Sequence, residues 1–387
     1  MNIRVRQIID KLVIANIYII LVLDFTLLVK LIFVLTLGFY LIIILNNNKF
    51  NKRAFIFILF VYLTFSLLAL VGLVKGNEVE DIVKFMLPIL TLLNIFVYIE
   101  LLKTYKLDRY IYHIYIASIF VTLKVLLLLL LFTNGILIDY LPVFDSEKVQ
   151  NTWIGYNAGS FRIFIGQAII IPVGLLLSQY FNKKIPYLFL VIAFVSLFFT
   201  QTTVLWVSYF LVLIYLLHLQ FKSILKYIVL FLTFSGIVFI IGIYYDVIIM
   251  IIEEKLLYSA PVKLQQIGIS IDILDKNLFF GGGLGYIFDN GANTIEVVIL
   301  HVLSTTGILG FFIYTYMLFY WQILSIQYIK TDKLIFVLVL SYLTIVFASF
   351  SNPYLLGGSS GLFLIPFIAA RFIYLKKERI YRVYNGN

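Results

Sequence analysis

Long apolar runs separated by short polar breaks make up most of this sequence. Many of the runs approach the ~20 residues with which a helix crosses the hydrocarbon core of a bilayer. The pattern predicts an all-α integral membrane protein with about 12 transmembrane helices. The predicted spans are 12–26, 28–46, 54–73, 82–102, 109–133, 161–180, 186–200, 203–220, 224–245, 295–327, 333–350 and 358–375.

The composition excludes a soluble protein with one large core. Of the 387 residues, 63% are hydrophobic and only 12% are charged, whereas soluble domains carry about 25% charged residues. The sequence has no cysteine, and its three histidines, His113, His218 and His301, lie far apart. Thiolate, haem and histidine metal centres are therefore not expected, and we predict no metal and no cofactor.

The net charge of +10 could indicate binding to nucleic acid, but the distribution of the basic residues indicates a membrane topology instead. Most of the 29 Lys and Arg residues lie in alternate connections between the predicted spans and at both ends of the chain. The positive-inside rule places these connections in the cytoplasm. Both termini are then cytoplasmic, which agrees with an even number of spans, and we predict no nucleic-acid partner.

In this topology residues 1–387 form one polytopic domain with a larger extracytoplasmic loop, 246–294, between the ninth and tenth spans. The loop contains an amphipathic helix that begins at Lys263 and extends to Leu278. Its apolar positions recur at spacings of three and four and form one face: Leu264, Ile267, Ile271, Leu274 and Leu278. We expect this helix to lie on the outer membrane surface.

A glycine-rich turn follows the helix, with glycine at positions 281, 282, 283 and 285. Glycine allows positive φ angles and lets a ligand approach backbone N–H groups closely. We therefore expect a bulky anionic substrate at this turn, although a flexible loop would have the same composition. The turn is neither a P-loop nor a dinucleotide fingerprint, because no Lys-Ser/Thr pair follows it and no βαβ unit surrounds it.

Two basic residues on the predicted outer side are candidates for binding phosphate. Arg162 lies at the outer end of the sixth span, where its guanidinium could bind a phosphate bidentately or extend to lipid headgroups. Lys263 shares a helix face with Gln266 and Ser270 and could point into a cavity. A solvated loop lysine is the alternative for Lys263.

Glu296 opens the tenth span. A carboxylate at the edge of the hydrocarbon is costly unless it has a partner or a task. Burial would favour its neutral form and so suit a general base near neutral pH, whereas the alternative is a carboxylate that stabilises a helix N-terminus. His301 falls off the helix face of Glu296 and is predicted to be a packing residue.

Three further positions have two interpretations each. Trp153 and Tyr156, in the outer loop before the sixth span, fit an aromatic belt at the membrane interface. Contact with a ligand is the alternative for both, and Tyr156 is a candidate substrate-binding residue. Lys124 lies within the fifth span, where a charge indicates function unless the side chain extends outward.

The segment K-x13-N-L-F-F-G-G-G-L-G, followed by E-x10-G-I-L-G, resembles the O-antigen ligase and polymerase superfamily of bacterial envelope membrane proteins. The matching positions are Lys263, Asn277, Gly281, Gly283, Gly285, Glu296, Gly307 and Gly310, and Arg162 with Pro172 resembles the family's other phosphate-binding arginine. Three features depart from the family pattern: Lys263 replaces an arginine, Leu278 stands where proline is usual, and 200–203 lacks a third arginine. Glu296 stands where ligases carry histidine, which favours the polymerase branch.

The resemblance implies a metal-independent, inverting glycosyltransferase on the outer face of the bacterial cytoplasmic (inner) membrane. Its donor would be a polyprenyl-pyrophosphate-linked oligosaccharide, which the enzyme would join into O-antigen or capsular polysaccharide. Arg162 and Lys263 would hold the pyrophosphate, Glu296 would accept the proton of the attacking hydroxyl, and Asn277 with the glycines would contact substrate. The lipid bilayer and a chain-length regulator protein are the other expected partners.

Two alternatives remain open. The first is a ligase that transfers finished polymer to lipid A core or to another acceptor. The second is a flippase or transporter for lipid-linked oligosaccharides, which would need polar residues spread through several spans. Charge in this sequence is concentrated outside the spans, with few exceptions such as Lys124.

Overall fold

The computed structural model describes most of the chain with gaps. The described residues are 3–23, 51–102, 107–134, 152–157, 160–182, 187–200, 202–220, 260–288, 297–330 and 332–349, together with the isolated positions 35, 38, 235, 242, 249, 253, 257, 295, 366 and 368–370. The predicted spans 28–46, 224–245 and 358–375 therefore lie outside the described residues, apart from isolated positions.

The helical fold class is confirmed in the described part of the chain. The helices are α1 Ile3–Tyr18, α2 Lys52–Val74, α3 Val79–Leu90, α4 Asn94–Leu102, α5 Leu107–Thr133, α6 Ile170–Asn182, α7 Tyr187–Thr200, α8 Thr203–Gln220, α9 Ala260–Lys276, α10 Val298–Ser325 and α11 Lys333–Ala348. A single antiparallel hairpin, β1 Thr152–Asn157 with β2 Ser160–Ile165, adds the strands that the sequence reading did not include.

Three of these helices are long and apolar enough to cross a membrane: Lys52–Val74, Leu107–Leu131 and Val298–Ile323. Four shorter apolar segments accompany them: Gly166–Phe181, Tyr187–Thr200, Thr203–Leu217 and Lys333–Ala348. The predicted span 82–102 is divided into α3, the 3₁₀ turn Thr91–Leu93 and α4.

The sixth predicted span begins later than expected. The hydrophobic pattern predicts a start at residue 161, but 160–165 form β2, and helical structure starts with the 3₁₀ turn Gly166–Ile169 before α6. The alternating segment Ser-Phe-Arg-Ile-Phe-Ile pairs with Thr-Trp-Ile-Gly-Tyr-Asn in a register that sets Asn157 opposite Ser160. Aromatic and β-branched residues favour such pairing, and an apolar run alone did not distinguish strand from helix.

Contacts divide the chain into two compact units, Met1–Ile114 with Ile267–Asn387, and Tyr115–Gln266. In the second unit, Gly174 of α6 lies so close to Ser118 of α5 that an added Cβ would overlap the serine hydroxyl. The Ser196 hydroxyl of α7 donates to the carbonyl of Thr122 at 3.1 Å. Small residues therefore allow these helices to pack closely.

In the first unit, α2 and α10 pack antiparallel through aromatic pairs. Phe57 meets Trp321 at 5.3 Å between ring centroids, and Phe60 meets Tyr316 at 6.5 Å. The chain therefore runs in opposite directions along α2 and α10. This relationship agrees with their predicted places as an odd-numbered and an even-numbered span.

A partly buried polar cluster joins α1 to the start of α5 in the same unit. Asp10, only 3% exposed, is 3.2 Å from the guanidinium of Arg109 and accepts a hydrogen bond of 2.9 Å from the Tyr110 hydroxyl. Further along both helices, the Tyr18 hydroxyl lies 3.0 Å from Nδ1 of His113. The two helices therefore run in the same direction, as two odd-numbered spans should.

Candidate functional site

The predicted amphipathic helix is present as α9, Ala260–Lys276, with Pro261 in its first turn, where proline needs no N–H partner. Its predicted apolar face is exposed: Leu264 is 69% and Ile271 52% accessible. On another face Gln266 and Ser270 are buried. An exposed apolar stripe of this kind is typical of a helix that lies in a membrane interface.

The inner side of the C-terminal half of α9 belongs to a small apolar core. Ile273 is buried together with Phe288, which follows the glycine turn, and with Ile295, which precedes α10. This core fixes the end of α9 beside the start of α10. The glycine turn therefore begins and ends at anchored points.

The glycine turn itself is buried. Gly281, Gly283 and Gly285 all have positive φ angles, +59°, +88° and +76°, which only glycine adopts readily. The turn starts where the N–H of Gly281 donates to the carbonyl of Asn277 at 2.8 Å. Asn277 is half-buried.

The turn packs into a break in α10. Gly307 has φ +62° and ψ −167° inside this helix, so the helical hydrogen bonds around it are lost. The freed N–H groups of Ile308 and Leu309 donate instead to the carbonyls of Leu278 and Phe279, at 3.0 and 3.3 Å. The turn thus caps the second half of α10 and satisfies donors that a broken helix would leave unpaired.

Backbone contact at this junction explains why both segments carry glycine. The N–H of Gly282 donates to the carbonyl of Ser304 at 2.6 Å. A Cβ on Gly281 would overlap that carbonyl and lie 2.8 Å from the nitrogen of Gly307, and one on Gly307 would overlap the backbone of Phe279. Packing against protein therefore accounts for these glycines, and their predicted contact with substrate stays a prediction.

The connection between α2 and α3 holds the other side of the turn. The Lys75 ammonium donates to the carbonyl of Gly281, and the Asn77 amide donates to the carbonyls of Gly282 and Leu284 at 3.1 and 2.9 Å. A Cβ on Gly283 would lie 2.7 Å from Cα of Gly72 in α2. We call Lys75 and Asn77 the amide clamp, since both donors bind backbone amide carbonyls of the turn.

Sequence reasoning did not identify the amide clamp. Lys75 and Asn77 lie about two hundred positions before the turn in the sequence, and no local spacing connects them to it. The sequence does contain one indication of this contact, because 74–81 and the glycine turn both fall on the predicted outer side. Polar residues in a short connection on that side were candidates for contact with the turn.

His301 is a buried packing residue, as predicted. It is 2% exposed, and its ring lies 5.5 Å from Phe85 and 5.9 Å from Phe288 between centroids. The N–H of Ile295 donates to Nδ1 at 3.3 Å. This bond assigns the proton of the neutral imidazole to Nε2.

The predicted catalytic residues are described to different extents. Lys263 is half-buried in α9 and has a partner. The backbone of Arg162 lies in β2 opposite Gly155, and that of Tyr156 in β1 opposite Phe161, whereas their side chains and Glu296 lie outside the described residues. The convergence of Arg162, Lys263 and Glu296 therefore stays a prediction.

In the part of the chain that the structure describes, no three His, Asp or Glu side chains are grouped to hold a metal ion. The described residues that could act on a ligand here are a buried glycine turn and the ammonium group of Lys75 at its edge. Such an arrangement can bring positive charge next to a flexible anionic ligand.

No family model matches the chain, and no curated protein sequence matches it.

Proposed function

We propose that this protein is a polysaccharide repeat-unit polymerase of the cytoplasmic membrane. It would transfer a growing glycan from a polyprenyl-pyrophosphate carrier to the next lipid-linked repeat unit on the outer face of a bacterial inner membrane. The finer topology of about 12 spans with cytoplasmic termini belongs to the same proposal. A chain-length regulator is its expected protein partner.

The observation that carries the proposal is the junction between the two glycine segments. The sequence resemblance includes two glycine patterns, 281–285 and 307–310, and the sequence alone does not show whether they are in contact. In the structure they are one unit, held by the bond from Gly282 to Ser304 and by the contact of Gly281 with Gly307. This favours a shared role over a chance match of two unrelated segments.

The contacts of the first unit also support the proposed sidedness. The amide clamp joins 74–81 to the turn, and the N–H of Val298 lies 3.4 Å from the carbonyl of Ser349. Each contact connects segments that the charge pattern assigns to the outer side. On the predicted inner side, Asp10 pairs with Arg109.

In the proposed reaction a hydroxyl oxygen of the acceptor sugar attacks the anomeric carbon of the donor. The bond from that carbon to the phosphate oxygen breaks, and polyprenyl pyrophosphate leaves with the bonding electrons. Arg162 and Lys263 stabilise the negative charge that develops on the leaving group. Glu296 accepts the hydroxyl proton, and attack from the opposite face inverts the anomeric centre.

The test is a chain-length ladder in cells that depend on this protein for polymer. Glu296→Gln and Arg162→Ala should remain in the membrane but leave single repeat units. Normal ladders from both variants would contradict the assigned roles. A deletion strain distinguishes the ligase alternative, because loss of a ligase leaves finished polymer on the lipid carrier.

A further inference from the structure

Lys75 lies just after the last residue of α2, where it caps the helix C-terminus. Its ammonium donates to the carbonyl of Gly281, yet the residue is exposed. An ammonium group has three donors, so this one carbonyl leaves donor capacity at the edge of the turn. Among the described residues, no carboxylate forms a salt bridge with Lys75.

The electrostatic setting of Lys75 favours an anionic ligand. Although the residue as a whole is exposed, partial desolvation of its ammonium lowers the pKa from the usual lysine value, because the protein replaces part of the water around the charge with a neutral carbonyl. An anion that reached the group would restore the lost stabilisation. Lys75 is the only basic residue of the connection between α2 and α3, and the carboxylates nearest to it in the sequence, Glu78 in the connection and Glu80 and Asp81 in the first turn of α3, form no salt bridge with it.

We propose that Lys75 binds the pyrophosphate of the donor beside the glycine turn; this rests on the proposed function. Both phosphoryl groups of the donor carry negative charge, and the leaving group gains more when the glycosidic bond breaks. Positive charge beside the glycine turn would therefore stabilise both the bound donor and the departing pyrophosphate. The amide clamp then has two parts: Asn77 holds the turn and Lys75 also binds substrate.

Two lysines permit a matched comparison. Lys276, in the last turn of α9, is exposed and directly precedes the turn, but among the described residues it makes no hydrogen bond to the turn's carbonyls. Lys75→Gln removes the charge and keeps an amide donor for Gly281, Lys75→Arg keeps the charge, and Lys276→Gln removes a neighbouring charge. Asn77→Ala weakens the turn without changing charge.

The measurement is the Kd of the purified full-length protein for polyprenyl diphosphate and for the uncharged polyprenol, in a phosphate-free maltoside detergent. We expect Lys75→Gln to weaken diphosphate binding about tenfold, as loss of one charge-assisted hydrogen bond implies, and to leave polyprenol binding unchanged. Lys75→Arg and Lys276→Gln should stay close to wild type. If Lys75 only stabilises the turn, Lys75→Gln should bind diphosphate as tightly as wild type, and Asn77→Ala should bind it more weakly.

The outcomes separate this inference from the function on which it rests. If wild-type protein binds diphosphate no better than polyprenol, the proposed function fails and Lys75 loses its role with it. If wild type prefers diphosphate and Lys75→Gln binds equally well, only the Lys75 assignment is overturned. An effect that requires vesicles of anionic phospholipid, and is absent in detergent, would assign Lys75 to lipid headgroups and overturn the proposal.

Stability is checked by thermal unfolding of each variant in the same detergent. Should Lys75→Gln fail to fold, Lys75→Arg provides the second test, because arginine stays charged at alkaline pH where lysine does not. Retained diphosphate affinity in Lys75→Arg at a pH where wild type has lost it supports the proposal. A parallel loss in both proteins overturns it.

Discussion

The backbone N–H of Gly282 donates to the carbonyl oxygen of Ser304 at 2.6 Å. In an uninterrupted helix that carbonyl would accept from Ile308, but the positive φ of Gly307 removes this partner. The glycine turn and the break in α10 are therefore complementary, because each satisfies backbone hydrogen-bonding groups that the other leaves without a partner. A change on one side should disturb both.

We expect Gly281→Ala to destabilise the protein strongly. The added Cβ would overlap the carbonyl of Ser304, and a left-handed φ costs alanine roughly 1 kcal/mol before any clash. The midpoint of thermal unfolding in detergent measures the effect, and Gly307→Ala should resemble it.

Gly268 supplies the matched control for these substitutions. It lies within α9, and a Cβ there would meet nothing within 4 Å. Gly268→Ala should therefore stabilise the helix by about 0.5–1 kcal/mol. Equal unfolding midpoints for Gly281→Ala and Gly268→Ala would show that the junction contributes nothing to stability.

Asn77 should be intolerant of a change that keeps its size. Its amide nitrogen donates to two carbonyls of the turn, Gly282 and Leu284. Asn77→Ala loses both bonds, at a cost of about 1–3 kcal/mol, whereas Asn77→Asp places a carboxylate against two carbonyl oxygens and should cost more. Unfolding midpoints that rank Asn77→Asp above Asn77→Ala would contradict this geometry.

The hydrophobic pattern was sufficient for the elements that depend only on length and polarity. Predicted span 54–73 corresponds to α2, 109–133 to α5 and 203–220 to α8. Asn51 and Asp332 cap α2 and α11 through their side chains, in polar breaks that the pattern had located. These features are local, since each follows from neighbouring residues.

Two features were not predicted by the pattern, for different reasons. The hairpin of β1 and β2 is local, but an apolar run fits a strand as well as a helix. The break at Gly307 depends on a distant contact, because the glycine turn supplies new acceptors there. The glycines were identified from the sequence, but their burial was not, because a glycine-rich exposed loop and a glycine-rich packed turn have the same composition.

The absence of cysteine from the sequence allows the membrane sidedness to be tested with single substitutions. Glu78, between α2 and α3, and Lys330, after α10, are both exposed. In the proposed topology Glu78→Cys reacts with a membrane-impermeant maleimide on intact cells, whereas Lys330→Cys reacts only after permeabilisation. Labelling of both positions from the same side would contradict the predicted alternation.

The pH dependence of donor binding should report Lys75. Because burial lowers its pKa in the free protein, and a bound diphosphate would stabilise the ammonium and raise that pKa, binding takes up a proton between the two values. The contribution of Lys75 is then fully present below the free-protein pKa and falls as the pH rises through this window. Lys75→Arg should flatten the fall, since arginine keeps its charge there. Titration of diphosphate affinity from about neutral pH to about pH 10 measures it, and superimposable profiles for wild type and Lys75→Arg would mean that a different group controls the alkaline loss.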